Sequence, residues 1–493
     1  MNAVLGGNVI ETRFENESYS VIGFPSGSMD YISFGKEFKD LTPEGSEGLS
    51  RLVGLFVNLN YTWNNIYLLD LSGRLDGSSK FGSKKRYAPF WSAGIGWNVH
   101  NEKFFEGLKG VINHLKLSAN VGATGKASFE AYEAQDVYEY YKGQWYAGGL
   151  GVIMNNMGNT NLQWEKTHTF DGNFEIQFLN GLVSANMNYY VKTTKDLLAD
   201  ITLPPSSGFE SYRDNLGELE NKGYEISLRG FVVRDKDLIV NVFGSIAHNK
   251  NVIKKISNSL ETYNKKVDDE QDNYEPGWGE AMETAKPQVQ FKEGQSTTAI
   301  YAVRSLGIDP MTGEELFLTK EGKPTWIWNA LDKIVVGDTE PKIRGTFGVN
   351  VGWKGLYMNA TFAYQYGGEA YNQTVVDKVE NSNKYQNVDK RVLTETWQKP
   401  GDVVKYKANV TSRLVQYFTY ASSRFVQDLN YLQFSSFSLQ YEMPKNWISC
   451  LRMESLRFSF NMSDLFYWST VKRERGTSYP FARSFTVGLR ANF

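Results

Sequence analysis

Seven aromatic side chains in polar stretches of the chain are the residues best suited to hold a ligand. Tyrosine and tryptophan combine a flat apolar face with one hydrogen-bonding group, so they can stack on a sugar ring or pack on a peptide or a partner protein. They can equally pack neighbouring loops against one another, and the sequence leaves both roles open. The candidates for ligand or partner contact are Trp145, Tyr146, Trp278, Trp326, Trp328, Tyr417 and Tyr420.

A run of carboxylates at 268–272 is the one candidate metal site. Carboxylate oxygens are ligands that calcium prefers, and Asp268 and Asp272 are the candidates. An EF-hand loop has a glycine at its sixth position, where this chain has Asn273. A solvated acidic loop is therefore the preferred interpretation, and no cofactor is predicted.

Catalysis is not predicted either. His100, His114, His168 and His248 lie far apart along the chain, and neither a G-x-S-x-G nor an H-E-x-x-H motif accompanies them. Cys450 is the only cysteine, which excludes an intramolecular disulfide and cysteine-based metal centres. We therefore expect a protein that is not an enzyme.

Composition excludes two further classes of protein. The formal net charge of −2, from 53 basic and 55 acidic residues, provides no field that would attract nucleic acid. The chain lacks the run of about 18 or more apolar residues that a membrane-spanning helix needs. Aromatic residues nevertheless make up 14% of the chain although all hydrophobic residues make up only 41%, so the rings serve something other than an ordinary core.

The elements that would position the candidate residues are strands, marked by alternation of apolar and polar residues. In 343–366, Phe347, Val349 and Val351 share one face, and Lys354 and Gly355 then turn the chain into a partner strand. The pattern recurs about fourteen times, in segments of about ten residues that suit tilted membrane-crossing strands. The segments lie near 2–12, 51–63, 65–75, 89–99, 112–122, 164–178, 181–192, 219–231, 238–248, 343–353, 356–366, 430–441, 454–463 and 483–493.

The lengths of the connections give a second test. Counted back from Phe493, long and short connections alternate without a break, and the longest are about 249–342 and 367–429. Outer-membrane barrels have short periplasmic turns and long outer loops, so the alternation places the C-terminus in the periplasm and the aromatic candidates in outer loops. Aromatic residues at both strand ends, such as Trp63, Trp353 and Tyr366, match two interfacial girdles. The sequence thus predicts an all-β, antiparallel transmembrane β-barrel with long extracellular loops, as one domain over 1–493.

The alternative fold is an ordinary all-β protein whose core the rings would fill. Its second sheet would have to pack on faces that are polar here. In a soluble sandwich, nothing requires the loops at one end of the strands to be long and those at the other end to be short.

Short motifs in a fixed order, from about residue 50 to the C-terminus, resemble the SusC/RagA-type TonB-linked outer-membrane transporters. The first motif runs from Arg74 to Gly82, and the last is the terminal strand that ends at Phe493. We interpret these motifs as structural rather than ligand-binding. The positions that carry the resemblance are Arg74, Asp76, Gly77, Ser78, Phe81, Gly82, Trp97, Trp164, Glu165, Asn215, Gly217, Gly223, Glu225, Gly401, Asp402, Arg424, Phe425 and Phe493.

The resemblance implies a longer parent architecture. Members of the family carry a signal peptide, a plug and a barrel of about twenty-two strands. No signal peptide or plug is recognisable here, so the chain resembles the C-terminal part of such a barrel, with about fourteen of its strands.

The resemblance also implies a function. A full-length member imports oligosaccharides or peptides across the outer membrane, with a SusD-like surface lipoprotein as a lid and energy from the TonB complex, which acts through the N-terminal region. The alternatives are a passive outer-membrane porin, a non-functional truncated remnant, or a soluble glycan-binding β-protein.

Overall fold

The computed structural model describes residues 1–25, 27, 29, 31–39, 44–126, 131–146, 148–202, 211–215, 217–256, 258–272, 286–382, 388–408, 419–449, 452–472 and 484–493. These ranges contain the strands β1 (Asn2–Ser18), β2 (Val21–Ile22), β3 (Glu37–Phe38), β4 (Glu44–Trp63), β5 (Tyr67–Ser78), β6 (Tyr87–Asn98), β7 (Ile112–Lys126), β8 (Val137–Tyr146), β9 (Gly149–Asn156), β10 (Glu165–Phe178), β11 (Val183–Lys195), β12 (Leu198–Thr202), β13 (Ser211–Asn215), β14 (Glu218–Arg234), β15 (Leu238–Lys255), β16 (Ala299–Ala302), β17 (Arg304–Ile308), β18 (Glu315–Leu318), β19 (Pro324–Thr325), β20 (Ile334–Asp338), β21 (Ile343–Trp353), β22 (Leu356–Tyr371), β23 (Val426–Glu442), β24 (Ser455–Ser469) and β25 (Phe485–Asn492).

Helical segments in the described part of the chain are few and mostly one turn long. The α-helices are α1 (Asn258–Asp272), α2 (Gln373–Val375), α3 (Arg391–Thr394) and α4 (Lys445–Ile448). The 3₁₀ turns are Ile32–Phe34, Val99–Asn101, Lys103–Leu108, Ala330–Asp332 and Ser423–Phe425, and Val376–Glu380 is a π turn. Among the described residues, none of the helices has the length and apolar composition that spanning a membrane requires.

Fourteen of the strands form one antiparallel sheet, which we call the wall. Each wall strand pairs with the next wall strand along the chain, so the wall is an up-and-down meander, and the predicted all-β fold is confirmed. In the described residues β1 pairs only with β4 and β25 only with β24, so these two are edge strands. The order is β1-β4-β5-β6-β7-β10-β11-β14-β15-β21-β22-β23-β24-β25.

The hairpin of β21 and β22 shows how the sequence sets the register. Phe347 lies opposite Phe362, with stacked rings 5.1 Å apart, whereas Asn350 lies opposite Asn359. Lys354 and Gly355 have φ values of 45° and 89°, the left-handed conformation that a two-residue type I′ turn needs. Because side chains alternate between faces, this register keeps the aliphatic and phenylalanine side chains of residues 347–351 and 358–362 on one face and the asparagines on the other.

The apolar face of the wall is open to its surroundings. Leu55 and Trp63 on β4 are 61% and 55% exposed, and Val487 on β25 is 71% exposed. Apolar patches larger than a few hundred Å² are rare on soluble monomers. A belt that continues from strand to strand fits the hydrocarbon of a membrane rather than water.

The predicted alternation of connection lengths holds at all but one position, because the connection 79–86 is shorter than the turns 99–111 and 443–454 at the other end of the wall. The short turns lie at one end of the wall and the long connections at the other. The short turns are 64–66, 99–111, 179–182, 235–237, 354–355 and 443–454, and the long connections are 19–43, 79–86, 127–164, 196–217, 256–342, 372–425 and 470–484.

Several strands extend further toward the long connections than their alternation predicts. β1 continues to Ser18, β15 to Lys255 and β22 to Tyr371. Alternation is needed only where one face meets hydrocarbon, while backbone hydrogen bonds can continue beyond that zone with polar residues on both faces. The sequence pattern therefore marks the membrane-crossing part of each strand and not its end.

Candidate functional site

The two longest connections, 256–342 and 372–425, pack on each other at the long-connection end of the wall, and we call their described residues the loop unit. β16 pairs with β20, and β17, β18 and β19 form a second small sheet. Val303 makes a parallel bridge to Ser422, and the Ser423 N–H donates to the Val303 carbonyl oxygen at 2.9 Å. Segments more than a hundred residues apart in the sequence thus form one folded body.

Arg424 is the electrostatic centre of the loop unit. Its Nη2 donates to Glu315 Oε2 at 2.8 Å and to Glu380 Oε1 at 2.7 Å, and its Nη1 donates to Glu380 Oε2 at 3.1 Å. The three side chains are 10%, 6% and 0% exposed. Burial alone would lower the pKa of Arg424, but the two carboxylates outweigh it and raise that pKa. Burial would likewise raise the pKa of Glu315, but the guanidinium outweighs it and lowers that pKa, so the network is held in its charged form.

The residue that follows Arg424 anchors an apolar cluster beneath this network. The Phe425 side chain is 1% exposed and packs with Val376, Val379 and the ring of Tyr371, whose centroid lies 5.8 Å away. The Arg424 guanidinium lies 4.3 Å above the Phe425 ring centroid. Arg424 and Phe425 therefore lie in the interior of the loop unit, in contact with other residues of the chain.

The segment 397–402, which contains the motif residues Gly401 and Asp402, packs on the turn at Pro310 at the edge of the loop unit. The Trp397 Nε1 donates to the Pro310 carbonyl oxygen at 2.8 Å, and the Gly401 N–H donates to the same oxygen at 2.8 Å. Asp402 Oδ2 accepts the N–H of Lys399 at 3.0 Å, which closes the turn. The segment 397–402 and the turn at Pro310, which are far apart in the sequence, are thus packed together in the loop unit.

The aromatic candidates have different surroundings. Trp328 and Tyr420 stack on each other with ring centroids 4.7 Å apart, and the Trp328 Nε1 donates to the Ala421 carbonyl oxygen at 3.2 Å. These two rings pack the loop unit together, which was the alternative to ligand contact. Trp326 is 50% exposed, and Ile327 beside it is 76% exposed. Trp326 therefore remains available for a ligand or a partner.

Two of the other aromatic candidates, Trp145 and Tyr146, are neighbours on one strand. The backbones of Trp145 and Tyr146 lie in β8, paired with Leu150 and Gly149 of β9. Trp278 and Tyr417 lie outside the described residues.

The first family motif forms a second buried cluster, at the long-connection end of β5 and β6. Phe81 is 0% exposed, and its ring centroid lies 4.4 Å from that of Trp164. Trp164 Nε1 donates to the Arg86 carbonyl oxygen at 3.0 Å, and the Gly82 N–H donates to the Leu162 carbonyl oxygen at 3.2 Å. The motif therefore ties the 79–86 connection to the start of β10.

Polar residues of the same motif shape the strand ends around that cluster. Arg74 and Asp76 form a bidentate ion pair with donor–acceptor distances of 2.8 and 3.0 Å, and buried Ser78 lies two residues further on. Gly77 faces the Tyr87 ring so closely that a Cβ would lie 2.4 Å from it.

Asn215 and Glu165 link the connection 196–217 to the connection 127–164 and to the start of β10. The Asn215 Nδ2 donates to the carbonyl oxygens of Gln163 and Asp196 at 2.9 and 2.8 Å. Its Oδ1 accepts the Gln163 N–H at 2.9 Å. Glu165 Oε2 accepts the N–H of Leu198 at 3.5 Å. These motif residues therefore hold loops in place.

The remaining motif residues lie on the wall. A Cβ at Gly223 would lie 2.1 Å from the His248 carbonyl oxygen, and one at Gly217 would lie 2.4 Å from the Lys255 carbonyl oxygen. Glu225 is an exposed residue of β14, and Phe493 is 79% exposed beside the end of β25. Trp97, at the short-turn end, donates through Nε1 to Glu102 Oε1 at 3.1 Å.

Asp268, the calcium candidate whose side chain is described, is engaged in other contacts. Asp268 Oδ1 lies 2.6 Å from Lys333 Nζ and accepts a hydrogen bond from Gln290 Nε2 at 2.5 Å. The Lys333 side chain is only 2% exposed, so Asp268 serves to neutralise a buried ammonium group. Asp272 is the last residue of α1, and the described residues contain no group of three or more possible metal-ligating side chains.

Two of the histidines are close in space although distant in sequence. The ring centroids of His100 and His114 lie 4.4 Å apart at the short-turn end. His114 Nε2 lies 3.7 Å from Glu175 Oε2. No local sequence pattern predicts this pair, because its contact depends on how the turn 99–111 packs on β7.

A row of amide and hydroxyl side chains, which the sequence analysis missed, crosses the polar face of the wall. We call Asn241, Asn350, Asn359, Ser438 and Asn461 the amide row, since each lies opposite the next on neighbouring strands. Asn359 Nδ2 donates to Asn350 Oδ1 at 2.5 Å, Asn350 Nδ2 to Asn241 Oδ1 at 3.4 Å, and Ser438 Oγ to Asn461 Oδ1 at 2.8 Å. The row offers hydrogen-bonding groups and no ionisable group to the space that the polar face lines.

Comparisons with known proteins agree with this architecture. The model of the family "TonB dependent receptor-like, beta-barrel" matches residues 11–301. The chain is 26% identical to TonB-dependent receptor P3 of Formosa agariphila over 513 aligned positions, which cover 95% of this chain and 48% of that protein. It is 25% identical to TonB-dependent receptor SusC of Bacteroides thetaiotaomicron over 420 positions, which cover 80% of this chain and 38% of that protein.

A solved structure shares the fold. The structure of the RagAB peptide transporter superimposes with a TM-score of 0.79 at 24% identity, covering 95% of this chain and 50% of that one. The chain spans about half the length of the curated relatives it matches. The family model covers more than half of the residues, and the predicted resemblance to SusC- and RagA-type proteins is confirmed. The chain belongs to the TonB-dependent receptor-like β-barrel family.

Proposed function

We propose that this chain forms the C-terminal part of the barrel wall and the outer loops of an energised outer-membrane importer of oligosaccharides or peptides. The observation that carries the proposal is the division of one fourteen-stranded sheet into an exposed apolar face and a polar face crossed by the amide row. Lipid suits the first face and a water-filled lumen suits the second. The matched relatives named TonB-dependent receptors, and the fold of a peptide transporter, support transport rather than catalysis.

The orientation follows from the connections. We place the short-turn end and the C-terminus in the periplasm and the loop unit outside the cell, because long connections of outer-membrane barrels face outward. The half of the relatives that this chain does not span would supply the plug and the contact with the TonB complex that the resemblance implies.

The loop unit is the part that would meet the ligand and the SusD-like lipoprotein lid. Its exposed residues include Trp326 and Ile327, while Arg424, Glu315 and Glu380 hold the body beneath them rigid. Exposed aromatic side chains on a rigid support are typical contact residues in interfaces. We assign no enzymatic role to any residue of the chain.

The second candidate function is a passive porin, which the polar face of the wall would also suit. Uptake of a labelled oligosaccharide or peptide, by cells that express the protein, separates the two when measured with and without a protonophore. Loss of uptake with the protonophore is the result expected of an importer. Unchanged uptake would favour the porin, and absence of uptake under both conditions would favour a non-functional remnant.

A further inference from the structure

A groove on the apolar face of the wall, near the short-turn end, has no role in the proposed transport path. Its cavity volume is about 1010 Å³. Ala119 of β7 and Gly172 of β10 lie opposite each other and form its floor, because their side chains are the smallest in that part of the face. Trp97 and Tyr189 rise on either side, and Tyr224 lies opposite Tyr189 on the next strand.

The groove crosses six neighbouring strands, from β5 to β14. Five strand spacings of about 4.8 Å give it a length of about 24 Å. One leaflet of a membrane is about 15 Å deep, half of the roughly 30 Å hydrocarbon core, so the groove can hold a whole acyl chain along its tilted course. Most of its lining side chains are apolar, including Ile95, Leu117 and Phe174, so it suits an acyl chain rather than a sugar or an ion.

The groove continues into the turn 99–111 at the membrane boundary. Trp97 contacts Phe104 with ring centroids 6.4 Å apart, edge to face. Phe104, Leu108 and Val111 are 69%, 50% and 55% exposed, whereas Phe105 is buried at 3% and anchors the turn. Exposed apolar residues on a turn that a buried ring fixes in place are suited to lie in the interfacial layer of a lipid leaflet.

Charged side chains of both signs flank these apolar residues. Lys103, Glu106 and Lys109 are exposed. Glu102, the other acid of the turn, accepts hydrogen bonds from Tyr67 Oη at 2.7 Å and from Trp97 Nε1 at 3.1 Å. The ammonium groups of Lys103 and Lys109 can pair with a phosphate, and the carboxylate of Glu106 can pair with an ammonium group of the same headgroup.

We propose that the groove binds a phospholipid with a phosphoethanolamine headgroup, one acyl chain lying over Ala119 and Gly172 and the phosphate between Lys103 and Lys109. The inference rests on the membrane placement given under the proposed function. The small floor and the large side chains of Trp97 and Tyr189 on either side of it define the site on the apolar face. The bound lipid would belong to the periplasmic leaflet, since the turn 99–111 lies at the short-turn end.

Native mass spectrometry of the membrane-embedded protein that contains this chain tests the proposal. The protein is extracted in mild detergent and reconstituted in nanodiscs that contain phosphatidylethanolamine and phosphatidylcholine in equal amounts. It is then released from the nanodiscs in the mass spectrometer, and the lipid molecules that remain bound to it are identified and counted. Gly172→Leu fills the groove without strain, because a Cβ at Gly172 finds its nearest atom, Phe170 Cε1, at 3.9 Å. Gly230→Leu on β14 is the control, since its Cβ has similar room and it lies outside the groove.

The wild type and Gly230→Leu are expected to retain phosphatidylethanolamine, and Gly172→Leu to lose at least five-sixths of it. Ala119→Leu should act like Gly172→Leu, so that misfolding of one variant does not decide the test. Replacing both Lys103 and Lys109 with Gln should reduce retention of both lipids, because both have the phosphate. Replacing Glu106 with Gln should abolish the preference for phosphatidylethanolamine, because only its headgroup has an ammonium group that can donate hydrogen bonds to a carboxylate. Equal retention by Gly172→Leu and Gly230→Leu would overturn the proposal.

Failure of the proposed function would look different. A protein that does not fractionate with outer membranes and shows no heat-modifiable migration contradicts the membrane placement and this lipid site together. A protein that does both but retains no lipid in the groove contradicts only the lipid site.

Discussion

Arg424 and Glu315 lie 109 residues apart in the sequence, and their side chains form a 2.8 Å charge-assisted hydrogen bond in the interior of the loop unit. This bond joins the two longest connections of the chain at a point where water is excluded. The packing of these two connections on each other thus depends on one guanidinium group.

Arg424→Ala is expected to loosen the loop unit without unfolding the wall. The substitution leaves Glu315 and Glu380 buried without their counter-charge, which costs about 3–5 kcal/mol. Hydrogen exchange should show lost protection at Val303 and Ser423, whereas heat-modifiable migration should be unchanged.

Arg457→Ala is the matched control for Arg424→Ala. Its partner Glu442 and Arg457 itself are 39% and 44% exposed, so its loss should cost about 0–1 kcal/mol. Equal loss of protection in both variants would show that the buried network has no special role.

Acid should weaken the loop unit through Glu315. The pKa of Glu315 is lowered in the folded state from its ordinary value of 4.5, because pairing with Arg424 outweighs burial. A lowered pKa contributes stability that is complete above pH 4.5 and is lost as the pH falls through the folded-state pKa below it. Exchange rates measured in steps from pH 6 to pH 3, corrected for intrinsic chemistry, should therefore rise only below pH 4.5.

Glu315→Gln removes the group that titrates and should remove most of this pH dependence. A rise in exchange that begins above pH 4.5, or a rise of equal size in Glu315→Gln, would argue against Glu315 as its source.

Trp326→Ala is expected to weaken binding of the transported ligand or of the lipoprotein by about fivefold or more, the loss typical of an exposed aromatic contact residue. Calorimetry on the full-length protein measures it. Trp447→Ala, at an exposed tryptophan of the opposite end of the wall, serves as the control. Unchanged affinity in Trp326→Ala would exclude this residue from the contact surface.

Trp328→Ala should act differently from Trp326→Ala. It removes the stack on Tyr420, worth about 0.5–1.5 kcal/mol, together with a hydrogen bond to the Ala421 carbonyl oxygen. We expect faster exchange in the loop unit, with any loss of binding following from it. A double Trp326/Trp328 replacement would confuse the two effects, so the single variants are required.

Gly82→Ala is expected to disrupt the cluster of Phe81 and Trp164. A Cβ at Gly82 would lie 2.0 Å from the Thr160 carbonyl oxygen, so backbone must move. The thermal midpoint in detergent should fall, and tryptophan fluorescence should shift. Gly107→Ala meets nothing within 4 Å and should leave both unchanged, and a similar fall in both variants would contradict the explanation.

The wall could be predicted from the sequence because each of its strands faces two environments. Alternation in 343–366 identified the strands, the turn and the face of every residue, since the register follows once one face must be apolar. The same reasoning missed the ends of β1 and β22 that lead into the long connections, residues 13–18 and 367–371, where apolar and polar residues no longer alternate.

The interior of the loop unit could not be predicted in the same way. Arg424, Glu315 and Glu380 are ordinary charged residues in the sequence, and only the folded connections bring them together. Trp326 and Trp328 are two residues apart and look equivalent, yet one is half exposed and the other is stacked on Tyr420. Such contacts depend on tertiary packing, for which the sequence has no local pattern.

The amide row has an electrical consequence. Its side chains carry no charge at any pH, so strands β15–β24 present neutral dipoles along this line of the polar face. Ionisable groups lie elsewhere on the same face, including Asp70, Lys116, Asp171 and Lys192 on β5–β11 and Arg344, Glu442 and Arg457 on β21–β24. If the lumen conducts, those groups will distinguish cations from anions, while the amide row itself will be indifferent to the sign of the permeating ion.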